Sequence, residues 1–166
     1  SLMPTNLYGP GDNYNMKTSH VMAAMIRRFS EAKKNCLSSV TCWGSGNPLR
    51  EFMHVDDLGE AVVFILEKWD TKSEKTPLDK NGNKIFFLNV GVGQDLSIRE
   101  LAEKIADLYN FKGQIFWDKT KPDGTPRKLL DISKIKSIGW EPKISLEEGL
   151  KKTINEFEEN YKKNNL

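Results

Sequence analysis

Hydrophobic positions along the chain follow two periods, and their order predicts a mixed α/β fold. Met22, Met25, Ile26 and Phe29 recur at helical spacing behind Thr18 or Ser19 as candidate cap, and the predicted helix carries His20, Arg27 and Arg28. Residues 40–43 are apolar or β-branched and read as a strand, 44–48 (Gly-Ser-Gly-Asn-Pro) as a breaker, and 50–55 as a second strand. The simplest form for this stretch is a surface hairpin with Trp43 in the core. Asp56 or Asp57 then caps a helix whose stripe is Leu58, Ala61, Val62, Ile65 and Trp69. Residues 71–84 form a polar loop with Pro77 and Asn81-Gly82, and 85–90 an apolar strand ending at Gly91-Val92-Gly93.

The second half repeats the alternation. Ser97-Ile98-Arg99-Glu100 is a capping box, and the helix behind it buries Ile98, Leu101, Ile105 and Leu108. A short strand at 114–117 runs into a loop, 118–128, stiffened by Pro122, Gly124 and Pro126. A helical turn at 133–138 stops at Gly139, and Ser145 opens a last helix with Leu146, Leu150, Ile154 and Phe157 inward and a Lys- and Asn-rich tail expected to fray.

Composition narrows the function classes. The 166 residues suit one domain with a real core. Twenty-five basic against 23 acidic side chains leave a net charge of +2, without the basic face of a nucleic-acid binder. The Lys-rich segments are interspersed with Glu, Asp and Asn and read as solvated faces. Cys36 and Cys42 lack metal-ligand spacing, so no metal site is expected. No apolar run approaches the ~20 residues of a membrane helix, and a cytoplasmic protein without membrane contact is the expectation. The first residues begin in mid-pattern, like the end of a strand, which suggests a piece of a longer chain with Ser1-Leu2 as a possible scar.

Three features carry candidate chemistry. Gly91-Val92-Gly93 follows a strand, as in dinucleotide-binding loops, but the third glycine of that fingerprint is missing and a structural turn is the better reading. The 44–48 loop is flanked by Trp43, a flat aromatic surface, and Arg50, a planar fork of donors suited to phosphate. The 118–128 loop displays Asp123, Arg127 and Lys128. Together they suggest an anionic small ligand.

The runs Pro4-Thr5-Asn6-Leu7-Tyr8-Gly9-Pro10, Ser19-His20-Val21, Trp43-Gly44-Ser45-Gly46, Arg50-Glu51-Phe52, His54-Val55-Asp56-Asp57 and Lys121-Pro122-Asp123-Gly124-Thr125-Pro126-Arg127-Lys128 closely resemble the GDP-L-fucose synthases, a family of extended short-chain dehydrogenase/reductases. Tyr-Gly-Pro and His-Val-Asp-Asp are shared widely among nucleotide-sugar enzymes; the 121–128 run is more particular. The resemblance implies that residues 1–166 are the carboxy-terminal substrate-binding domain, with 1–15 the end of a cofactor-binding Rossmann half that the 166 residues do not include. It implies an NADP-dependent oxidoreductase and epimerase, homodimeric as a whole, that turns GDP-4-keto-6-deoxy-D-mannose into GDP-L-fucose.

By the same resemblance, Pro4, Thr5, Asn6, Leu7 and His20 would lie at the nicotinamide end of NADP. His20 would act as an acid in the epimerisation steps, where imidazole suits proton transfer near neutral pH. Arg28, Trp43, Arg50, Asp123 and Lys128 would hold the GDP-sugar. The family's Gly-rich loop, Tyr-x-x-x-Lys pair, catalytic Ser and catalytic Cys have no counterpart here, and neither Cys36 nor Cys42 matches the last. Two other classes stay open at this stage: a UDP- or dTDP-sugar enzyme of the same family, and a stand-alone nucleotide-sugar or protein-interaction module.

Overall fold

The computed structural model describes residues 1–74 and 76–164, the side chains of 161–164 excepted. Most strands pair in parallel across long stretches of sequence. Strand β1 (Leu2–Pro4) pairs with β6 (Leu88–Val90), β2 (Asn6–Tyr8) with β5 (Phe52–His54), and β3 (Ser39–Trp43) with β8 (Gln114–Asp118). Two-residue strand β4 (Leu49–Arg50) is the centre of a three-stranded sheet, antiparallel to β7 (Leu96–Ser97) and parallel to β9 (Arg127–Lys128). Helices α1 (Val21–Lys34), α2 (Val55–Lys68), α3 (Ile98–Leu108), α4 (Ser133–Ser137) and α5 (Leu146–Asn164) complete the order. Parallel pairs require crossover connections, and here helices supply most of them.

The expected hairpin does not form. Residues 40–43 and the strand after the 44–48 breaker go to different partners, because Gly44 and Gly46 both take left-handed backbone (φ 80°) and turn the chain away from β3. The expected strand 50–55 is broken at Glu51 into β4 and β5, and α2 starts at Val55, before Asp56 and Asp57. His54 is its N-cap: Nδ1 accepts from Asp56 N at 3.2 Å. Asp57 is buried instead, its carboxylate accepting from Lys143 N (3.0 Å) and Ile144 N (3.1 Å), which ties α2 to the segment leading into α5. Helix α1 likewise begins one residue later than Ser19 would set it; His20 is the N-cap and makes no side-chain cap bond.

Two apolar clusters form the core. Met25, Ile26 and Phe29 of α1 meet Val40 and Cys42 of β3, Leu101 and Ile105 of α3, and Leu150 and Phe157 of α5. Met53, Ala61, Leu88, Val90, Ile135 and Trp140 form the second, between α2, β6 and α4. Helix α2 carries a further apolar stripe that the core leaves uncovered: Val55, Val62, Val63 and Leu66 are exposed, Leu66 by 81%. Val62 therefore leaves the buried stripe assigned to it. Phe86 and Phe87, read as part of a strand, are also exposed, since β6 starts only at Leu88. The tail expected to fray is instead helical in the described backbone, where α5 continues to Asn164.

The capping box of α3 is complete: Ser97 Oγ accepts from Glu100 N at 3.1 Å and Glu100 Oε2 accepts from Ser97 N at 2.7 Å. Ser97→Ala is expected to lower stability by about 0.5–2 kcal/mol in urea unfolding followed by circular dichroism. An unchanged midpoint and slope would show that the box is redundant with packing.

Candidate functional site

A cleft of about 260 Å³ opens between α1, the 43–50 segment, the start of α3 and the 118–128 loop. Val21, Met25, Pro48 and Ile98 give it apolar walls, while Lys17, Arg28, Trp43, Arg50 and Asp123 supply chemistry. Trp43 is 56% exposed, unlike the core residue a hairpin would have made of it. The Arg28 guanidinium stands 5.1 Å from its ring centroid and Lys121 Nζ 5.6 Å, so an accessible aromatic face is bracketed by cations. Arg28 donates to Thr41 O at 3.1 Å and Arg50 to Leu49 O at 2.8 Å. Neither Arg28 nor Arg50 pairs with a carboxylate among the described residues, leaving donors of both free for an anion.

The loop that sets these groups is pinned on two sides. Ser45 N and Ser45 Oγ donate to the two Asp123 carboxylate oxygens at 2.6 and 2.7 Å. From the other side Arg99 donates to Ser45 O at 2.7 Å, its main-chain N–H reaches Gly46 O at 2.9 Å, and its guanidinium lies 4.7 Å from the Trp117 centroid. Glycine is required at this point: a Cβ on Gly44 would overlap Asp123 Oδ1, and one on Gly46 would come within 2.8 Å of the Trp117 ring.

Asp123 thus lines the cleft, yet both its oxygens already accept from Ser45, so it serves as a clasp between two loops rather than as an open carboxylate. Those same bonds hold its pKa below the ordinary aspartate value. The sign follows: with a depressed folded pKa, the clasp is intact above the ordinary value of about 3.9 and opens as pH falls through the lower one. A carbon-detected titration of the Asp123 carboxyl should give a midpoint below about 3.9, and Ser45→Ala should return it toward that value; equal midpoints in both proteins would remove the clasp.

Other candidates fall outside the cleft. Arg127 is held by Asp95, Nε to Oδ2 at 2.6 Å and Nη2 to Oδ1 at 3.3 Å, a pairing that lowers the Asp95 pKa and raises that of Arg127. Lys128 is exposed on β9, in register with Arg50 but not lining the cleft. His20 is exposed at the α1 N-cap, between Ser19 and Val21, which do line it. Pro4, Thr5, Asn6 and Leu7 lie at the β1–β2 junction, where no described hydrogen bond joins them to His20.

Sequence reasoning passed over Glu51. It is fully buried, with Oε1 accepting from Val92 N and Gly93 N at 2.7 Å each and Oε2 from Leu130 N at 3.0 Å. Its main-chain carbonyl accepts from Asn6 Nδ2 at 2.7 Å and Thr5 Oγ1 at 3.3 Å. The Gly91-Val92-Gly93 turn is therefore filled by a carboxylate of its own chain, and a Cβ on Gly91 would overlap Glu51 Oε1. A Glu set inside a strand-like run was the available signal; its target was not readable.

Residues 1–78 match the model of the NAD dependent epimerase/dehydratase family. The fold is that of this class, the extended short-chain dehydrogenase/reductases. Within the class it is 49% identical over 158 residues to GDP-L-fucose synthase 1 of Arabidopsis thaliana, covering 95% of this chain and 45% of the relative. It is 46% identical over 160 residues to the GDP-L-fucose synthase of Escherichia coli K12, covering 96% and 49%. The crystal structure of a GDP-L-fucose synthetase from Naegleria fowleri bound to NADP superposes with a TM-score of 0.81 at 27% identity, over 97% of this chain and 47% of that one. The chain spans about half the length of the curated relatives it matches. Among the described residues no helix is long and apolar enough to cross a membrane, and no group of His, Cys, Asp and Glu could hold a metal ion.

Proposed function

We propose that the chain is the carboxy-terminal, GDP-sugar-binding part of an NADP-dependent GDP-L-fucose synthase, with residues 1–15 the end of its cofactor-binding half. The whole enzyme would convert GDP-4-keto-6-deoxy-D-mannose to GDP-L-fucose by epimerisation at C3 and C5 and reduction at C4, as a cytoplasmic homodimer. The observation that carries this reading is the cleft in which Arg28 and Arg50, without carboxylate partners among the described residues, stand with the exposed Trp43. Two guanidinium forks suit a diphosphate, and an aromatic face suits a base or sugar ring. Lys17 is the further cation on the cleft wall.

His20, next to that wall, is assigned proton transfer at the carbons flanking the ketone, and Lys128 an outer contact to the nucleotide. When bound, NADPH supplies the hydride for the reduction. Pro4, Thr5, Asn6, Leu7 and His20 are the residues of this chain that would hold its nicotinamide end. Pro4 is exposed at the end of β1, which fits an apolar ring face, whereas the Thr5 and Asn6 side chains are spent on Glu51 O and hold the strand's course. The uncovered stripe of α2, with Phe86 and Phe87, is the surface assigned to the remaining half.

Titration of the chain with GDP, and with UDP as control, tests the reading through tryptophan fluorescence and melting temperature. Saturable binding of GDP in preference to UDP is expected, with about 2.7 kcal/mol of added stability at a hundred times Kd. Binding of UDP in preference to GDP would favour a UDP-sugar enzyme instead, and equal binding of both or no binding by a folded chain would sink a preformed guanine-nucleotide site.

A further inference from the structure

The buried carboxylate of Glu51 is costly unless both of its oxygens find donors. Three main-chain N–H groups meet that need, and no cation shares the site among the described residues. Such an arrangement is a nest built by the chain around an internal anion. The donors come from two separate segments, the turn after β6 and the strand end after β9.

Its position along the chain gives the nest a second meaning. Glu51 directly follows Arg50, the guanidinium of the cleft. Its N–H donates to Lys128 O at 3.3 Å, and its carbonyl receives the side chains of Thr5 and Asn6. The turn it fills ends β6, and β6 pairs with β1, which ends at Pro4. The 4–7 segment is therefore held by Glu51 twice, directly through the carbonyl and again through the turn and β6. The cleft segment is held by the same residue from the other side.

We propose that Glu51 is a positioning residue that fixes the distance between the sugar-nucleotide cleft and the cofactor segment 4–7. This role rests on the functional reading given above. Hydride transfer tolerates little error in separation, and a displacement near 1 Å costs roughly a hundredfold in rate. Glu51 touches neither ligand in this assignment; it acts through Arg50 on one side and Thr5 and Asn6 on the other.

The test uses the complete enzyme of which the chain is proposed to be part, with NADPH and GDP-4-keto-6-deoxy-D-mannose. Glu51→Gln keeps the shape but turns one acceptor into a donor that faces main-chain N–H groups. The expected result is a kcat about 10- to 100-fold lower per NADPH-binding site, with both KM values within about threefold. The isotope effect with NADPH deuterated at the transferred position should rise, because hydride transfer becomes the slow step. Gly91→Ala, whose methyl would displace Glu51 Oε1 without changing charge, should give the same signature and serves if Glu51→Gln does not fold.

A purely structural role would lower the melting temperature and the fraction of active molecules and leave the isotope effect where it was. A folded variant with parental kcat and isotope effect overturns the role, as does a rise in KM at unchanged kcat. A complete wild-type protein that folds but does not turn over the keto-sugar sinks the functional reading and this role together. An active parent with an indifferent Glu51→Gln sinks this role alone.

Discussion

Arg50→Ala is expected to weaken GDP binding by about ten- to a hundred-fold, the equivalent of one charge-assisted hydrogen-bonding anchor at roughly 1.5–3 kcal/mol. The backbone on which Arg50 rides is fixed: β4 is paired on both edges, by β7 and β9, and Glu51 behind it is locked. Its guanidinium makes one described bond, to Leu49 O, and no carboxylate among the described residues competes for the rest. The loss should therefore show in affinity and not in folding, with a melting temperature of the free variant close to that of the parent. Arg50→Lys should recover only part of the affinity, since an ammonium offers a point charge where a guanidinium offers a fork to the proposed diphosphate. An Arg50→Ala chain that binds GDP like the parent would take Arg50 out of the site.

The second large effect concerns catalysis by the chain alone. Incubated with NADPH and GDP-4-keto-6-deoxy-D-mannose, the purified 166 residues are expected to oxidise no cofactor above the buffer rate. The sequence holds four tyrosines, at 8, 14, 109 and 161, and none has lysine four positions on. The Tyr8, Tyr14 and Tyr109 hydroxyls are moreover pushed well above the ordinary tyrosine pKa, first by burial and then by nearby carboxylates, which makes them poor proton donors. Turnover that tracks the chain through purification, and disappears with Arg50→Ala, would show a reductase site of a different kind within these residues.

Helices were the most legible part of this sequence. Phe29, Leu101 and Leu150 are buried where their periodicity put them, and the Ser97 box is present in full. Strand pairing was not legible, for a physical reason. Apolar and β-branched residues around the 44–48 breaker reveal that strands exist, but a parallel partner is chosen by the packing of helices between them, which no local window contains. The adjacent strands looked like a hairpin because the left-handed turns at Gly44 and Gly46 permit several exits.

The site was half legible by the same logic. Arg28, Trp43, Arg50 and Asp123 do meet at one cleft, yet which of them is free depends on partners distant in sequence. Ser45, 78 positions from Asp123, occupies that carboxylate, and Asp95, 32 positions from Arg127, occupies that guanidinium. Arg99 and Glu51 hold the loops without belonging to any motif a ligand would explain, so their roles appear only when the donors around them are counted. In α2, both sides of the helix were apolar, and periodicity alone could not say which side the core would cover.

The parallel pairing of β1 with β6 bears on how the protein is made. Leu2 finds its partner in Leu88, so during synthesis the first strand waits for about 86 further residues. At about 5–20 residues per second that is a delay of roughly 4–17 s. During this interval the β1 segment is without its β6 partner. Pairings of such span fold slowly, because the loop must be closed before any contact rewards it. The yield of native chain should thus depend on temperature and translation rate more steeply than its final stability would suggest.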